Sequence, residues 1–264
     1  MLQPHGALDE YHWRQGRTKK CWYSCIVDGL ALRHVSRIVV SSTHEAADRT
    51  PRWARRLQSA EVTLGVDQTL LTLKRSAALA QSDPAILFLG RITQKKRLDL
   101  VLHALSTLRE DGLRVRLIVA GPLDPQLTWS PADLARELGV TAAVSFLGPV
   151  DSDRRRDLLA AASVFVLSSD DESFGVSVAE SLAAGCPAVV TETVGIASAA
   201  AAVGALRITA PTAAGLAKEL TAVLTDPELS RRLSVLGRRY ARSTFTWEHS
   251  GHQLADIYRD VLGK

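Results

Sequence analysis

No stretch of about 18 or more apolar residues occurs in the 264-residue sequence, so no segment reads as a membrane-spanning helix. The opening Met1-Leu2-Gln3-Pro4-His5-Gly6 lacks a charged region followed by an apolar core, and no signal peptide is expected. Cysteine is scarce. Cys21, Cys25 and Cys186 are too few and too scattered for a disulfide framework, and read as reduced thiols in the cytoplasm. Cys21 and Cys25 would share a helix face, but no further Cys or His pair lies nearby to complete a metal site. His249 and His252 lack metal-site spacing, and no carboxylate cluster supports Asp170-Asp171 as ligands, so no metal is expected. Aromatic residues make up 5% and the net charge is a modest +4, without the aromatic-basic surface of a nucleic-acid module. Nucleic acid is therefore not an expected partner.

What is present, 46% hydrophobic and 23% charged residues, suits one large α/β domain or two modest ones. From Pro84 onward, apolar runs and helical periodicities alternate. Ala85 to Gly90, Arg114 to Gly121, Ala143 to Leu147, Ser163 to Leu167, Ala188 to Val190 and Ala205 to Ile208 read as strands. Between them, Leu98, Val101, Leu102, Leu105 and Leu108 recur at helical spacing. Ser130-Pro131-Ala132-Asp133 supplies an N-cap, a first-turn proline and an early acid. Helices are also expected over Arg154 to Ala161, Val176 to Ala184, Leu216 to Leu224 and Leu229 to Ala241. This rhythm is that of a doubly wound parallel sheet, whose ligands bind at strand carboxyl ends. The first 80 residues differ: a helical stretch from Leu8 to Leu32, a strand Arg37 to Ser41, and a helix capped near Ser42 and Thr43. A strand at Glu61 to Leu64 and a turn at Gly65-Val66-Asp67 follow. Two short strands are too few for a sheet with its own core.

The chemistry concentrates where the strand ending at Leu167 breaks into Glu172-Ser173-Phe174-Gly175-Val176-Ser177-Val178-Ala179-Glu180. A Gly-containing turn opening a helix offers free backbone N–H groups and a positive dipole end to an anion. Carboxylates beside a phosphate would repel it. Glu172 and Glu180 are better explained as acceptors for sugar and ribose hydroxyls, which points to a nucleotide-sugar. Gly90-Arg91 ends an earlier strand, and Arg91 and Lys96 can clamp a diphosphate and stabilise it as a leaving group. A solvated basic loop and a helix-capping Glu172 are the plainer alternatives.

Glu172 to Glu180 resembles the E-x7-E motif of GT-B fold, family 4 retaining glycosyltransferases. The likeness continues through Gly185-Cys186-Pro187-Ala188-Val189-Val190 and Gly90-Arg91 with Lys96. Upstream, Pro4-His5-Gly6, Ser42-Thr43-His44-Glu45 and Gly65-Val66-Asp67 follow the family's order. Thr63-Leu64 replace its usual Pro-Asn, and Arg97 stands where it usually has Gly, a change read as tolerable because helical residues follow. The resemblance implies a complete C-terminal Rossmann-like donor domain over residues 81–244. It also implies a partial N-terminal, acceptor-side domain and linker over 1–80, lacking the front part of that domain, and a returning helix over 245–264. It implies sugar transfer from a nucleoside diphosphate sugar to a hydroxyl with retained configuration, in cell-envelope polysaccharide or glycolipid synthesis. No cofactor beyond that donor substrate is implied.

By the same resemblance Glu180 accepts from ribose and Glu172 contacts the donor sugar. Gly90, Arg91, Lys96 and Ser173 with the backbone of Phe174, Gly175 and Val176 hold the donor. His5 matches a catalytic histidine, yet no preceding strand is expected to hold it. The acceptor would be a saccharide or a lipid-linked sugar. Arg14, Arg17, Lys19 and Lys20, interleaved with Trp13, Trp22 and Tyr23, read either as a solvated helix with its rings inward or as a peripheral contact with the inner membrane face. A chain of this extent is also open to a second class of reading, a non-catalytic nucleotide-sugar-binding remnant or one half of a split enzyme with a partner chain.

Overall fold

The computed structural model describes residues 1–4, 22, 35–47, 54, 56–75 and 83–263. His5, Cys21, Cys25 and the basic segment Arg14 to Lys20 lie outside these residues. Trp22 is described; it is helical and 70% exposed, so this ring is not packed inward.

The first part holds a two-stranded parallel sheet, β1 (Arg37–Val40) and β2 (Gln58–Glu61), with helix α1 (Thr43–Ala47) between them in sequence. The strand expected at Glu61 to Leu64 therefore lies three residues earlier. The register from Arg37 opposite Gln58 to Val40 opposite Glu61 uses up the whole of β1. Beyond Val62, whose N–H still donates to Val40 O at 2.8 Å, the chain has no strand partner. It turns instead to the last helix: the Thr63 N–H and hydroxyl both donate to Gln253 Oε1, and Ser250 Oγ donates to Thr63 O at 2.5 Å. Leu2 makes an isolated parallel bridge to Ile38. Leu2 is thereby tied to β1 by one bridge rather than as a strand, and His5 itself lies outside the described residues.

A short helix α2 (Gln68–Leu71) leads to the larger unit. Its strands are β3 (Ala85–Leu89), β4 (Arg116–Ala120), β5 (Val144–Gly148), β6 (Val164–Leu167), β7 (Ala188–Thr191) and β8 (Arg207–Thr209). Helices α3 (Leu98–Glu110), α4 (Pro131–Glu137), α5 (Ser152–Ala161), α6 (Val176–Ala183), α7 (Ala197–Ala202), α8 (Ala213–Thr225), α9 (Pro227–Thr244) and α10 (Trp247–Leu262) complete it. All six strands are parallel, in the order β5-β4-β3-β6-β7-β8. Every residue of β3, β6 and β7 is buried, which is why these strands appear in the sequence as unbroken apolar runs. At the edge, β5 has exposed Phe146 and Leu147, and β8 begins two residues later than expected. Ala205 and Leu206 belong to the core as buried loop residues, while pairing with β7 starts at Arg207.

Helix α4 begins where the sequence places it, while α5, α8 and α9 start two or three residues before the expected Arg154, Leu216 and Leu229, because side-chain caps set their first turns. Ser130 Oγ accepts from Asp133 N–H with Pro131 in the first turn, and Asp151, Thr212, Asp226 and Thr246 cap α5, α8, α9 and α10 in the same way. Between α9 and α10 the chain drops Phe245 into the core, fully buried. Its ring meets Phe174 edge-on at 5.6 Å and Tyr240 edge-on at 5.3 Å. The turn is held from the other side as well, because Val66 N–H donates to Phe245 O at 2.9 Å. One residue, by its ring and its backbone carbonyl together, thereby joins the linker, the turn between the last two helices and the loop before α6. Phe245→Ala is expected to cost about 3–5 kcal/mol in urea denaturation, since it removes a large buried ring together with both edge contacts. A loss below about 1 kcal/mol would mean that this junction does not hold the elements together.

Candidate active site

The strand order reverses direction between β3 and β6, and the loops leaving these two strands frame a cleft of about 350 Å³. Gly90 and Lys96 come from the loop after β3, while Glu172, Val176, Ser177 and Glu180 come from the loop after β6 and from α6. Gly121 and Pro122 after β4, and Pro149, Val150 and Arg155 after β5, complete the wall. Gly121 is required by packing. Its φ is 142°, and a Cβ there would lie 2.0 Å from Gly90 O, so only glycine lets the two strand ends close against each other.

Two ion pairs occupy the cleft. Lys96 Nζ lies 2.9 Å from Glu172 Oε2, and Arg155 Nη1 lies 2.9 Å from Glu180 Oε1. Glu180 is only 7% exposed, and burial pushes its carboxyl up from the ordinary value; Arg155 works against that rise and the charge of Asp67 adds to it. Helix α6 starts at Val176 behind Gly175, whose φ is 97°, and has no side-chain cap. The N–H groups of its first turn, at Val176 and Ser177, therefore have no intrahelical acceptor. Glu172 does not cap this helix; its side chain pairs with Lys96 instead.

The remaining expected residues take different places. Arg91 stands outside the cleft, 65% exposed, with Asp124 Oδ2 4.0 Å from its guanidinium. Phe174 is a core ring, and Ser173 O accepts from Ser42 Oγ. The Ser42 hydroxyl also accepts from Glu45 N–H at 3.1 Å, while Glu45 Oε2 accepts from both the N–H and hydroxyl of Ser41 at 2.7 Å. The Ser42 to Glu45 segment thus closes the turn into α1 and fastens it to the loop before α6. Arg155 has no sequence signal of its own. Its position one turn into α5, directly after the strand end at Gly148, could have marked it.

The loop after β6 is fixed by charge. Asp171 Oδ2 lies 2.6 Å from Lys95 Nζ, and Asp171 Oδ1 lies 2.9 Å from His44 Nε2. Burial alone would raise the Asp171 carboxyl, but hydrogen bonds from His44 and Lys95 outweigh it and hold the group at about 2, below the usual 3.8. Beside it, Ser168 Oγ lies 2.9 Å from Lys96 O and 2.8 Å from Arg97 O, and Asp170 N–H donates to Lys95 O at 2.9 Å.

Arg97 adopts φ 47° and ψ 46°, the left-handed region. The glycine-to-arginine change is thus not excused by the helix that follows: the position itself demands positive φ. What compensates is charge, because the guanidinium bonds Asp99 and reaches Asp170 at 2.8 Å, and these partners raise its pKa, Asp99 most.

A sequence model described as "Glycosyl transferases group 1" matches residues 72–240. The chain belongs to this family. A D-inositol 3-phosphate glycosyltransferase of Nocardiopsis dassonvillei is 29% identical over 246 residues, 86% of this chain and 56% of that protein. A protein of the same name from Saccharomonospora viridis is 34% identical over 197 residues, 71% of this chain and 46% of that one. The family member described here thus spans about half the length of the curated relatives it matches. Anabaena HepE, solved in complex with UDP-glucose, shares the fold at TM-score 0.77 and 19% identity, over 98% of this chain and 71% of that one. The fold is that of the GT-B glycosyltransferases, as the motif resemblance implied, and its sheet is the parallel one that the α/β pattern indicated.

Two outcomes are expected of this glycosyltransferase-family site. The Asp171 carboxyl lies lower in the folded than in the unfolded chain, so its stabilisation is present above pH 3.8 and is lost as pH falls toward 2. With solvent screening allowed for, Asp171→Asn should lose about 1–2 kcal/mol at pH 7 in urea melts, and the gap from wild type should shrink to about half at pH 3 and close only below the folded value of about 2. A gap unchanged at pH 3 would detach the loss from this titration. Arg97→Gly should be more stable than Arg97→Ala by about 1 kcal/mol, because both lose the ion pairs and only glycine is at ease in the left-handed region. Equal stabilities would show that the backbone there carries no strain.

Proposed function

We propose that the cleft binds a nucleoside diphosphate sugar and that the protein transfers the sugar to a hydroxyl acceptor with retention of anomeric configuration. The observation that carries this reading is the meeting, at the switch between β3 and β6, of Lys96, the open first turn of α6, the half-buried carboxylate of Glu172 and the buried one of Glu180. Ligands of doubly wound sheets lie at such a crevice. A diphosphate placed against Val176 and Ser177 N–H receives backbone donors and the positive helix end. Lys96, released from Glu172, supplies the compensating charge for the leaving diphosphate. Glu180, at the far end of the cleft, accepts from the ribose hydroxyls, and Glu172 from hydroxyls of the sugar.

Transfer in this reading is front-face: the acceptor hydroxyl attacks the side from which the diphosphate leaves, and no side chain forms a covalent intermediate. Neutralisation by Lys96, Arg155 and the helix end lets the donor bind without a metal ion. The UDP-glucose named in the HepE complex makes uracil the first base to try. The acceptor is a saccharide or lipid-linked sugar of cell-envelope polysaccharide or glycolipid synthesis, met on the cytoplasmic side.

The test is thermal unfolding with UDP, GDP and ADP in turn. A nucleotide at 100 times its Kd should add about 2.7 kcal/mol, and the rise in Tm should survive EDTA. Lys96→Ala and Glu180→Ala should each abolish that rise while remaining folded. No rise with any nucleotide, in a sample that melts cooperatively, would sink the donor-site reading.

A further inference from the structure

At the amino ends of β6 and β7, the opposite end of the strands from the donor cleft, lies a second cavity of about 470 Å³. Arg75, Arg238, Arg239 and Arg242 line it with Ser234 and Val235. Among the described residues none of these four guanidiniums pairs with a carboxylate.

Three of the four are anchored by helix ends. Arg75 donates to Leu159 O at 2.9 Å and to Ala162 O, where α5 stops before β6. Arg238 donates to Ala184 O at 2.6 Å, where α6 stops before β7, and Arg242 to Leu71 O at 2.8 Å, at the end of α2. Gly185, in the left-handed region at φ 69°, leaves the Arg238 guanidinium room to lie against this helix end. Cation-to-helix-end bonding is a sufficient reason for placing one arginine at each of these ends. It does not account for the whole cluster.

Each helix end carries at most about −0.5, so three offset about 1.5 of four positive charges and leave an excess of about 2.5. Arg238 registers that excess: burial lowers its pKa, and the charges of Arg242 and Arg75 lower it further. Each guanidinium also has five N–H donors and uses one or two on carbonyls, so donors remain at the cavity wall. Arg239 makes no hydrogen bond among the described residues. Guanidinium forks with spare donors and no carboxylate partner among the described residues match one ligand chemistry, the phosphate group, which accepts such forks in pairs.

We propose that Arg75, Arg238, Arg239 and Arg242 form a binding site for a phosphate-bearing anion of two or more negative charges, separate from the donor cleft. The phosphate comes from a soluble phosphorylated compound or from a phospholipid headgroup.

Inorganic pyrophosphate, titrated calorimetrically at low salt, is the probe. Binding should persist in Lys96→Ala, whose cleft is impaired, and weaken by about tenfold or more in Arg239→Ala/Arg242→Ala. If that double variant does not fold, Arg239→Gln, which gives up no backbone bond, replaces it. Unchanged affinity in the arginine variants, or loss confined to Lys96→Ala, would place the anion in the cleft and overturn the proposal. Sedimentation with phosphatidylglycerol vesicles, absent with phosphatidylcholine alone, reversed by pyrophosphate and lost in the arginine variants, identifies a headgroup. Pyrophosphate binding without sedimentation identifies a soluble phosphate. Absence of both ends the proposal.

Discussion

Between β3 and β6 the chain changes the direction in which it adds strands, and the rest of the structure depends on that reversal. A parallel sheet must cross over between strands, and each crossover covers one face with a helix. Where successive crossovers diverge, no helix can cover the gap at the strand ends, and a crevice remains. Here the crevice lies between the loops that follow Leu89 and Leu167. The loops are short and tied across it, Ser168 Oγ to Lys96 O and Arg97 O, and Asp170 N–H to Lys95 O. A cleft built this way cannot widen without breaking backbone hydrogen bonds, so the positions of Lys96 and Glu172 follow from topology rather than from side-chain preference.

That rigidity explains which parts of the molecule were legible in the sequence. Strands β3, β6 and β7 are buried on both faces, so burial itself writes them as apolar runs. Ser130, with Pro131 and Asp133, is a local device and is read locally. The Gly90, Lys96, Glu172, Val176 and Glu180 constellation was legible because these residues fall in the two segments that leave β3 and β6, at the fixed spacing that the family motif repeats. By contrast β2, Gln58-Ser59-Ala60-Glu61, is a polar strand with a single parallel partner, and no alternation marks it. Its position is set by where β1 ends. Arg155, the His44–Asp171–Lys95 cluster and the three-way contact of Phe245 join residues far apart in sequence, and no local pattern encodes such pairings. Arg97 is the instructive case: the missing glycine was visible, but the reason for glycine, a positive φ, was not.

The cleft is electrostatically complete before any ligand enters, and this shapes what a ligand must do. Lys96 and Glu172 neutralise each other, as do Arg155 and Glu180. For a dianion to bind, Lys96 must exchange one carboxylate for a phosphate, which costs little if Glu172 finds hydroxyl donors at the same moment. A ligand with phosphate alone leaves Glu172 without a partner, and one with hydroxyls alone leaves Lys96 paired as before. Both halves together satisfy all four groups. In the proposed reading, specificity for the joined molecule over its parts thus arises from pairs that are already formed, because an unpaired, partly buried charge is penalised more heavily than a formed pair is rewarded.

The first part of the chain enters this balance through the loop before α6. Ser42 Oγ holds Ser173 O, His44 holds Asp171, and Phe245, bonded back to Val66, packs on Phe174. These contacts bracket Glu172 on both sides in sequence, at Asp171 and at Ser173 and Phe174, while Glu172 itself remains turned to Lys96. Any shift of α1 or of the Thr63 to Asp67 linker must therefore pass into the backbone that carries the carboxylate. The coupling runs through packed and hydrogen-bonded groups rather than through proximity alone, which is the physical requirement for one part of a protein to set the geometry of another. The Glu172 carboxylate is therefore set from the boundary between the two-stranded part of the chain and the six-stranded unit.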